Sequence, residues 1–310
     1  MVVHLLAFLL IVSFFSSSES SIIDQPTLSF SEGFHPLYGE LNVVPHEANK
    51  SVHISMDERS SSGFRSKLMY VHGYFESSIR LPENYSAGVV VTFYACNNQK
   101  FPYVHDEIDF EFLGHIDGQE WLVQTNFYGN GSTNRGREER YVLWFDPSED
   151  FHRYGILWTG NRITYYVDHV PIRHVIRKVD SNSIGADFPS KEMRLYGTIW
   201  NGSNWATMGG KYKLDLTNYG PYVAKFSNFV LNNNNTGSLI WNENENEMMS
   251  EEDTRHMRTF RNKYMTYSYC YDYKRYAVAL PECVFYSDEF AHLQKFDPWT
   301  FGSGGNKASN

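Results

Sequence analysis

Apolar and polar positions alternate in short runs along most of the chain. Clear runs cover Tyr70–Ile79, Val89–Ala95, Val104–Leu113, Trp121–Phe127, Tyr154–Trp158, Ile163–Asp168, Met193–Trp200 and Tyr222–Leu231. A period of two puts successive side chains on opposite faces of a strand. Thr159-Gly160-Asn161-Arg162, between two such runs, reads as a hairpin turn. No sustained helical period precedes residue 250. Many strands at close spacing predict an all-β domain, a β-sandwich or jelly roll.

The pattern changes after Leu231. Residues 232–247 are rich in Asn and Glu and read as an exposed loop. Ser250 to Tyr264 fits a helix. Ser250 stands at the cap, Glu251, Glu252 and Asp253 fill the first turn, and Arg258, Arg261 and Lys263 follow, an order that suits the helix dipole. Met257, Phe260 and Tyr264 share its apolar face. At the other end, the apolar run Leu5–Phe15 and the Ser-rich stretch Ser16–Ser21 have the shape of a secretory signal, too short to span a membrane. These shifts divide the chain into a signal over 1–20, a catalytic β domain over 21–231, a C-terminal extension with a helix and a disulfide loop over 232–302, and a tail over 303–310. A secreted protein without a membrane span is expected.

Composition narrows the partners. The net charge is -9, and no basic patch with interleaved aromatics appears, so nucleic acid is not expected. An acidic balance also favours a neutral polymer over a polyanion. Aromatics reach 16%, which suits pleated surfaces and sugar stacking alike. Of three Cys, Cys270 and Cys283 can close a short loop in an oxidising compartment, leaving Cys96 as a buried thiol. No Cys/His cluster has ligand spacing, so no metal is expected. Sequons stand at Asn49, Asn84, Asn130, Asn201 and Asn234.

The run Val104–Leu113 carries the candidate chemistry. As a strand it puts Val104, Ile108, Phe110 and Phe112 on one face, with Asp106 the exception. The other face holds His105, Glu107, Asp109 and Glu111. Same-face neighbours sit roughly 6–7 Å apart. At an effective dielectric of about 20, two ionised carboxylates at that distance repel by roughly 2–3 kcal/mol, or about two pKa units. One carboxyl is therefore expected to keep a proton near neutral pH. An acid beside a carboxylate is what glycoside cleavage requires. The Cα atoms of Glu107 and Glu111 stand roughly 13 Å apart in a regular strand. Side chains leaning together permit the roughly 5–5.5 Å of a retaining enzyme without requiring it.

His105-Asp106-Glu107-Ile108-Asp109-Phe110-Glu111-Phe112-Leu113-Gly114 resembles the active-site motif of plant xyloglucan endotransglucosylase/hydrolases, of glycoside hydrolase family 16. The resemblance extends through Phe34-His35-Pro36-Leu37-Tyr38-Gly39, Gln124-Thr125-Asn126, Gly136-Arg137-Glu138-Glu139-Arg140, Leu143-Trp144-Phe145-Asp146-Pro147, Trp205-Ala206-Thr207 and Tyr267-Ser268-Tyr269-Cys270-Tyr271-Asp272. It is strongest to the branch with a longer C-terminal tail. It implies a jelly-roll β-sandwich with a concave substrate cleft and a short helical extension. Glu107 would be the nucleophile, Glu111 the general acid/base, and Asp109 the residue that orients and tunes the nucleophile. Substrate contacts would fall to Glu111, Gln124, Thr125, Asn126, Asn134, Arg137, Glu138, Asn204, Trp205, Gly209 and Arg275. Asn130 would be the glycosylated sequon, and Cys270–Cys283 the disulfide. The implied partners are a xyloglucan donor and a xyloglucan polymer or oligosaccharide acceptor in the cell wall, handled by a monomer without a cofactor.

The chain departs from that pattern after Leu231. Asn232-Asn233-Asn234-Asn235-Thr236 stands where members commonly have a first Cys pair, so an unpinned loop is expected there. The stretch after the motif, His115-Ile116-Asp117-Gly118, lacks the sequon many members have. Three other readings stay open at this level: a xyloglucan hydrolase, a glucanase acting on unbranched glucans, and a non-catalytic glycan-binding jelly roll.

Overall fold

The computed structural model describes residues 25–178, 187–233 and 249–301. The expected signal, the tail, and most of the Asn-rich loop with its Asn234 sequon lie outside the described residues. The described strands, β1 to β15 in chain order, form two antiparallel sheets. One sheet runs in the order β1 (Phe34–Tyr38), β4 (Ser62–Ser66), β13 (Arg194–Asn201), β6 (Val89–Cys96), β7 (Glu107–Leu113), β8 (Leu122–Tyr128), β9 (Glu139–Tyr141), β15 (Met265–Ser268). The other runs β12 (Val170–Ile176), β11 (Arg162–Val167), β10 (His152–Trp158), β5 (Gly73–Arg80), β14 (Tyr222–Asn232), β3 (Ser51–Met56), β2 (Val43–His46). The architecture is the expected sandwich.

Alternation explains how the sheets meet. Ile108, Phe110 and Phe112 of β7 are fully buried. Phe110 and Phe112 pack edge-on against Tyr154 of β10, at 5.8 and 4.6 Å between ring centres. Phe110 also meets Tyr165 of β11 at 5.3 Å. That core anchors one face of β7 and turns the other outward, because side chains alternate. The expected hairpin forms: Trp158 pairs with Ile163, and the Thr159 amide donates to the Arg162 carbonyl.

The strand is shorter than expected, starting at Glu107 rather than Val104. Asp106 is fully buried, and its carboxylate accepts from the amides of Asn130 (2.7 Å), Ser190 (2.7 Å) and Lys191 (2.8 Å) and from Lys191 Nζ (2.7 Å). Loop contacts replace the sheet ladder there. The one polar residue on the apolar face thus has its own job, tying the loops of Asn130 and Ser190–Lys191 behind the catalytic strand.

Helix α1 spans Glu251–Tyr264, and Ser250 Oγ accepts from the Asp253 amide at 3.0 Å, as the capping pattern predicts. A second helix, α2 (Ser287–Phe296), was not expected. The two are sewn to the sandwich by buried ions. Arg261 of α1 donates to Glu139 of β9 (2.6 and 3.0 Å) and to Glu289 of α2 (2.7 and 3.1 Å). Arg173 of β12 approaches Glu139 at 3.4 Å and donates to the Thr125 carbonyl and hydroxyl on β8.

Cys270 and Cys283 form the expected disulfide, and Cys96 is free and buried. By the loop-entropy relation, replacing both bridged cysteines with Ser should cost about 3 kcal/mol. Urea denaturation measures this; an unchanged midpoint would mean the buried ions alone hold the extension. No helix among the described residues is long and apolar enough to cross a membrane.

Candidate active site

Cross-strand register assembles the site on the outer face of the first sheet. Glu107 lies opposite Tyr128 on β8 and Cys96 on β6. Asp109 lies opposite Asn126 and Tyr94, and Glu111 opposite Gln124 and Thr92. Paired residues project to the same side of a sheet, so these three rows share one surface. There Glu107, Asp109 and Glu111 line a pocket of about 400 Å³ with Tyr38, Thr92, Tyr94, Thr198 and Trp200. The three predicted carboxylates do meet in a cleft.

Their ionisation follows from burial first and charge second. Asp109 is pushed far above the usual carboxylate range by desolvation, then by Glu107, Glu111 and Glu138. That shift favours the protonated form, which can donate a hydrogen bond to a flanking carboxylate. Burial raises Glu107 as well, opposed by a hydrogen bond from the Cys96 thiol and by His105. Glu111 is pushed up to about 7, chiefly by desolvation, while the hydrogen bond from Gln124 holds it down. All three carboxyls are shifted upward, as like-charge crowding would shift them, but loss of water, not repulsion, is the larger cause.

An acid that must be protonated to act loses activity as pH rises through its pKa. The alkaline limb of the rate profile should therefore fall near pH 7. A second group moves that limb. Arg275 pairs with Glu138, Nη1 to Oε2 at 2.6 Å, and Glu138 in turn raises Glu111. Arg275→Ala removes the compensating charge, so Glu111 should rise further and the limb shift to higher pH. A limb that stays put would show that the pair does not act on Glu111.

The predicted substrate contacts sort by face. Gln124 is in place: its amide donates to Glu111, and its carbonyl accepts from Arg140 Nε at 2.6 Å. Asn126 shares the surface, and its Oδ1 accepts the Arg137 amide at 2.8 Å. Thr125 points the other way, fully buried against Arg173, because it is one residue out of phase. Arg137 is also displaced from the expected role. It is 1% exposed and pairs with Asp187 (2.8 Å) and Glu282, so it braces loops behind the cleft. Glu138 and Arg275 stand together as described, over Gly136, where a Cβ would fall 2.3 Å from Glu138 Oε1. Asn134 is exposed on the preceding loop. Trp205 is half-exposed, its ring 6.1 Å from Trp200 of the pocket wall, in the same loop as exposed Asn204 and Gly209. The sequons Asn49, Asn84, Asn130 and Asn201 are all exposed. Sequence reasoning missed Tyr38, Thr92, Tyr94, Tyr128, Thr198 and Trp200. Thr92, Tyr94, Thr198 and Trp200 lie in the alternating runs, but which strand pairs with β7 was not readable.

A sandwich with a carboxylate triplet along one outer-face strand defines a glycoside-cleaving enzyme of the jelly-roll class. Residues 30–218 match the family described as Glycosyl hydrolases family 16, and residues 235–283 match the Xyloglucan endo-transglycosylase (XET) C-terminus. The chain belongs to the xyloglucan endotransglucosylase/hydrolases of that family. It is 49% identical to the Arabidopsis thaliana protein called probable xyloglucan endotransglucosylase/hydrolase protein 28, over 95% of this chain and 91% of that one. It is 48% identical to probable protein 27 of the same name and organism, with the same coverage. Among solved structures, a Bacillus licheniformis beta-glucanase shares the fold, with TM-score 0.52 at 23% identity over 66% of this chain and 94% of that one.

Proposed function

We propose that this chain is a retaining xyloglucan endotransglucosylase that cuts the β-1,4-glucan backbone and rejoins it to another xyloglucan chain. The observation that carries this reading is the meeting of Glu107, Asp109 and Glu111 in one pocket, where burial raises all three carboxyls. Glu107 attacks the anomeric carbon, and the glycosidic bond breaks as Glu111 passes its proton to the departing oxygen. A glycosyl ester on Glu107 remains. Glu111, now a carboxylate, takes the proton from an incoming sugar hydroxyl, whose oxygen displaces Glu107 and forms the new bond. Water in place of the sugar gives hydrolysis.

Asp109, between the two, supplies its proton as a hydrogen bond to the nucleophile in the resting state. Gln124, tied to both Glu111 and Arg140, holds the acid/base carboxyl in place. Asn126, Glu138, Asn204, Trp205, Gly209 and Arg275 are the remaining proposed sugar contacts. The Leu5–Phe15 run supports secretion to the cell wall, and exposed Asn130 supports glycosylation there.

Product analysis with xyloglucan and a labelled oligosaccharide acceptor tests the reading. Label moving into polymer is the expected result. Falling chain length without incorporation would make the protein a hydrolase.

A further inference from the structure

Beside the catalytic pocket, on the same sheet face, lies a second cavity of about 300 Å³. Arg65, Gln99, Lys100, Arg194, Tyr196 and Cys96 shape it. Paired strand residues link the two pockets. Cys96 pairs with Glu107 on one side and Arg194 on the other, so Arg194 stands two strands from the nucleophile. At about 4.8 Å per strand, their Cα atoms are about 10 Å apart. Tyr94 of the catalytic pocket stacks on Tyr196 of the second at 4.9 Å and 18°. A glycan laid across the strands from β7 to β4 would cover both pockets. This end of the surface lies opposite the edge where β15 and Arg275 stand.

The second pocket is cationic in a chain whose net charge is -9. Arg65 donates through Nε to His35 (2.9 Å) and through Nη1 to Gln99 (2.6 Å). Arg194 donates to the carbonyls of Ser66 (2.7 Å) and Lys67. Neither guanidinium has a carboxylate partner among the described residues. Lys100 pairs with half-exposed Glu192. Lys67 stands near Glu32. His35 is pushed below its ordinary value by burial and then by Arg65, Arg194 and Lys67, so it adds no acid to the group.

We propose that this pocket is an anion subsite of the cleft, recognising a carboxylate-bearing sugar unit, a uronate, attached to the glucan chain that Glu107 cleaves. The inference rests on the reading of the cleft as a glucan site. A guanidinium already held by neighbours presents its remaining N–H groups to a carboxylate at little entropic cost. The overall negative charge repels a densely charged polymer, so the subsite selects a mostly neutral glycan with sparse uronates.

The test uses xyloglucan in which part of the terminal galactose has been oxidised at C6 to the carboxylate, compared with its neutral parent as donor. A labelled neutral acceptor reports transfer. At low salt, the oxidised polymer should be used with about tenfold higher kcat/KM, the scale of one charge-assisted hydrogen bond. The advantage should shrink toward parity at about 0.5 M salt. Arg65→Gln should remove the advantage while turnover of the neutral polymer stays within about twofold, and Arg65→Lys should retain most of it. Equal use of the two polymers by the wild-type protein at low salt overturns the subsite, as does an advantage that survives Arg65→Gln. No transfer with either polymer instead overturns the glucan reading itself.

Discussion

Glu107→Ala should abolish turnover, lowering kcat by about four orders of magnitude or more, while the protein remains folded and still binds xyloglucan. The mutation removes the only atom that forms the covalent intermediate, and removal of such a nucleophile forfeits most of the chemical acceleration. The fold should survive because the Glu107 side chain faces the cleft and the buried partners of β7 lie on its other face. Removing a raised carboxyl from a crowded trio also relieves Asp109, which Glu107 pushes upward. Glu111→Gln should differ in kind. The glycosyl ester still forms with donors whose leaving group needs no proton, so activated aryl glycosides should give a burst of released phenol that xyloglucan does not match, followed by slow breakdown of the ester because the acceptor has lost its base. Initial rates on both substrates, with a thermal melt as the folding control, separate these roles. Full activity of Glu107→Ala would remove the assignment of the nucleophile.

The second large effect lies far from the cleft. Arg261→Leu should destabilise the protein by about 3–5 kcal/mol, because it leaves Glu139 and Glu289 buried without their shared cation. Glu139 is 3% exposed and Glu289 is fully buried. Tyr141, Ser268 and Tyr271 also donate to these carboxylates, which shows how little water reaches them. By contrast, Arg258→Ala, which breaks the exposed pair with Asp288 at 2.8 Å, should cost less than about 1 kcal/mol. Urea midpoints of the two variants check the difference. The network also predicts a pH dependence. Burial alone would raise Glu139, but Arg261 and Arg173 hold it at about 2, below its usual 4.5. Its stabilising contribution is therefore complete above about pH 4.5 and lost as pH falls toward 2. In Arg261→Leu that acid-sensitive part should shrink, since the depressed value depends on the missing guanidinium. Equal stability of Arg261→Leu and wild type would show that the extension docks without these ions.

The two effects mark a division in what the chain discloses. Strand periodicity, the hairpin at Thr159–Arg162 and the cap at Ser250 are local patterns, and each appears in the structure within a few residues of its expected place. The helix Ser287–Phe296 went unseen because no side chain caps its start; Glu289 and Leu293, both fully buried, seat it against the sandwich. The misplaced contacts share one cause. Thr125 and Arg137 sit within motifs that touch the cleft, but motif membership does not say which way a side chain points. Phase along β8 turns Thr125 inward, and Asp187 and Glu282 draw Arg137 behind the sheet.

The sequence by itself determined the catalytic strand: alternation alone puts Glu107, Asp109 and Glu111 on one face with phenylalanines on the other, since a period of two is a property of the backbone. Only the tertiary structure decided what that face becomes. Pairing of β7 with β6 and β8 set Cys96, Tyr94, Gln124 and Asn126 beside the carboxylates, and removal of water raised Glu111 to about 7. Desolvation and cross-strand neighbours depend on residues distant in the chain, so no local pattern could have stated them.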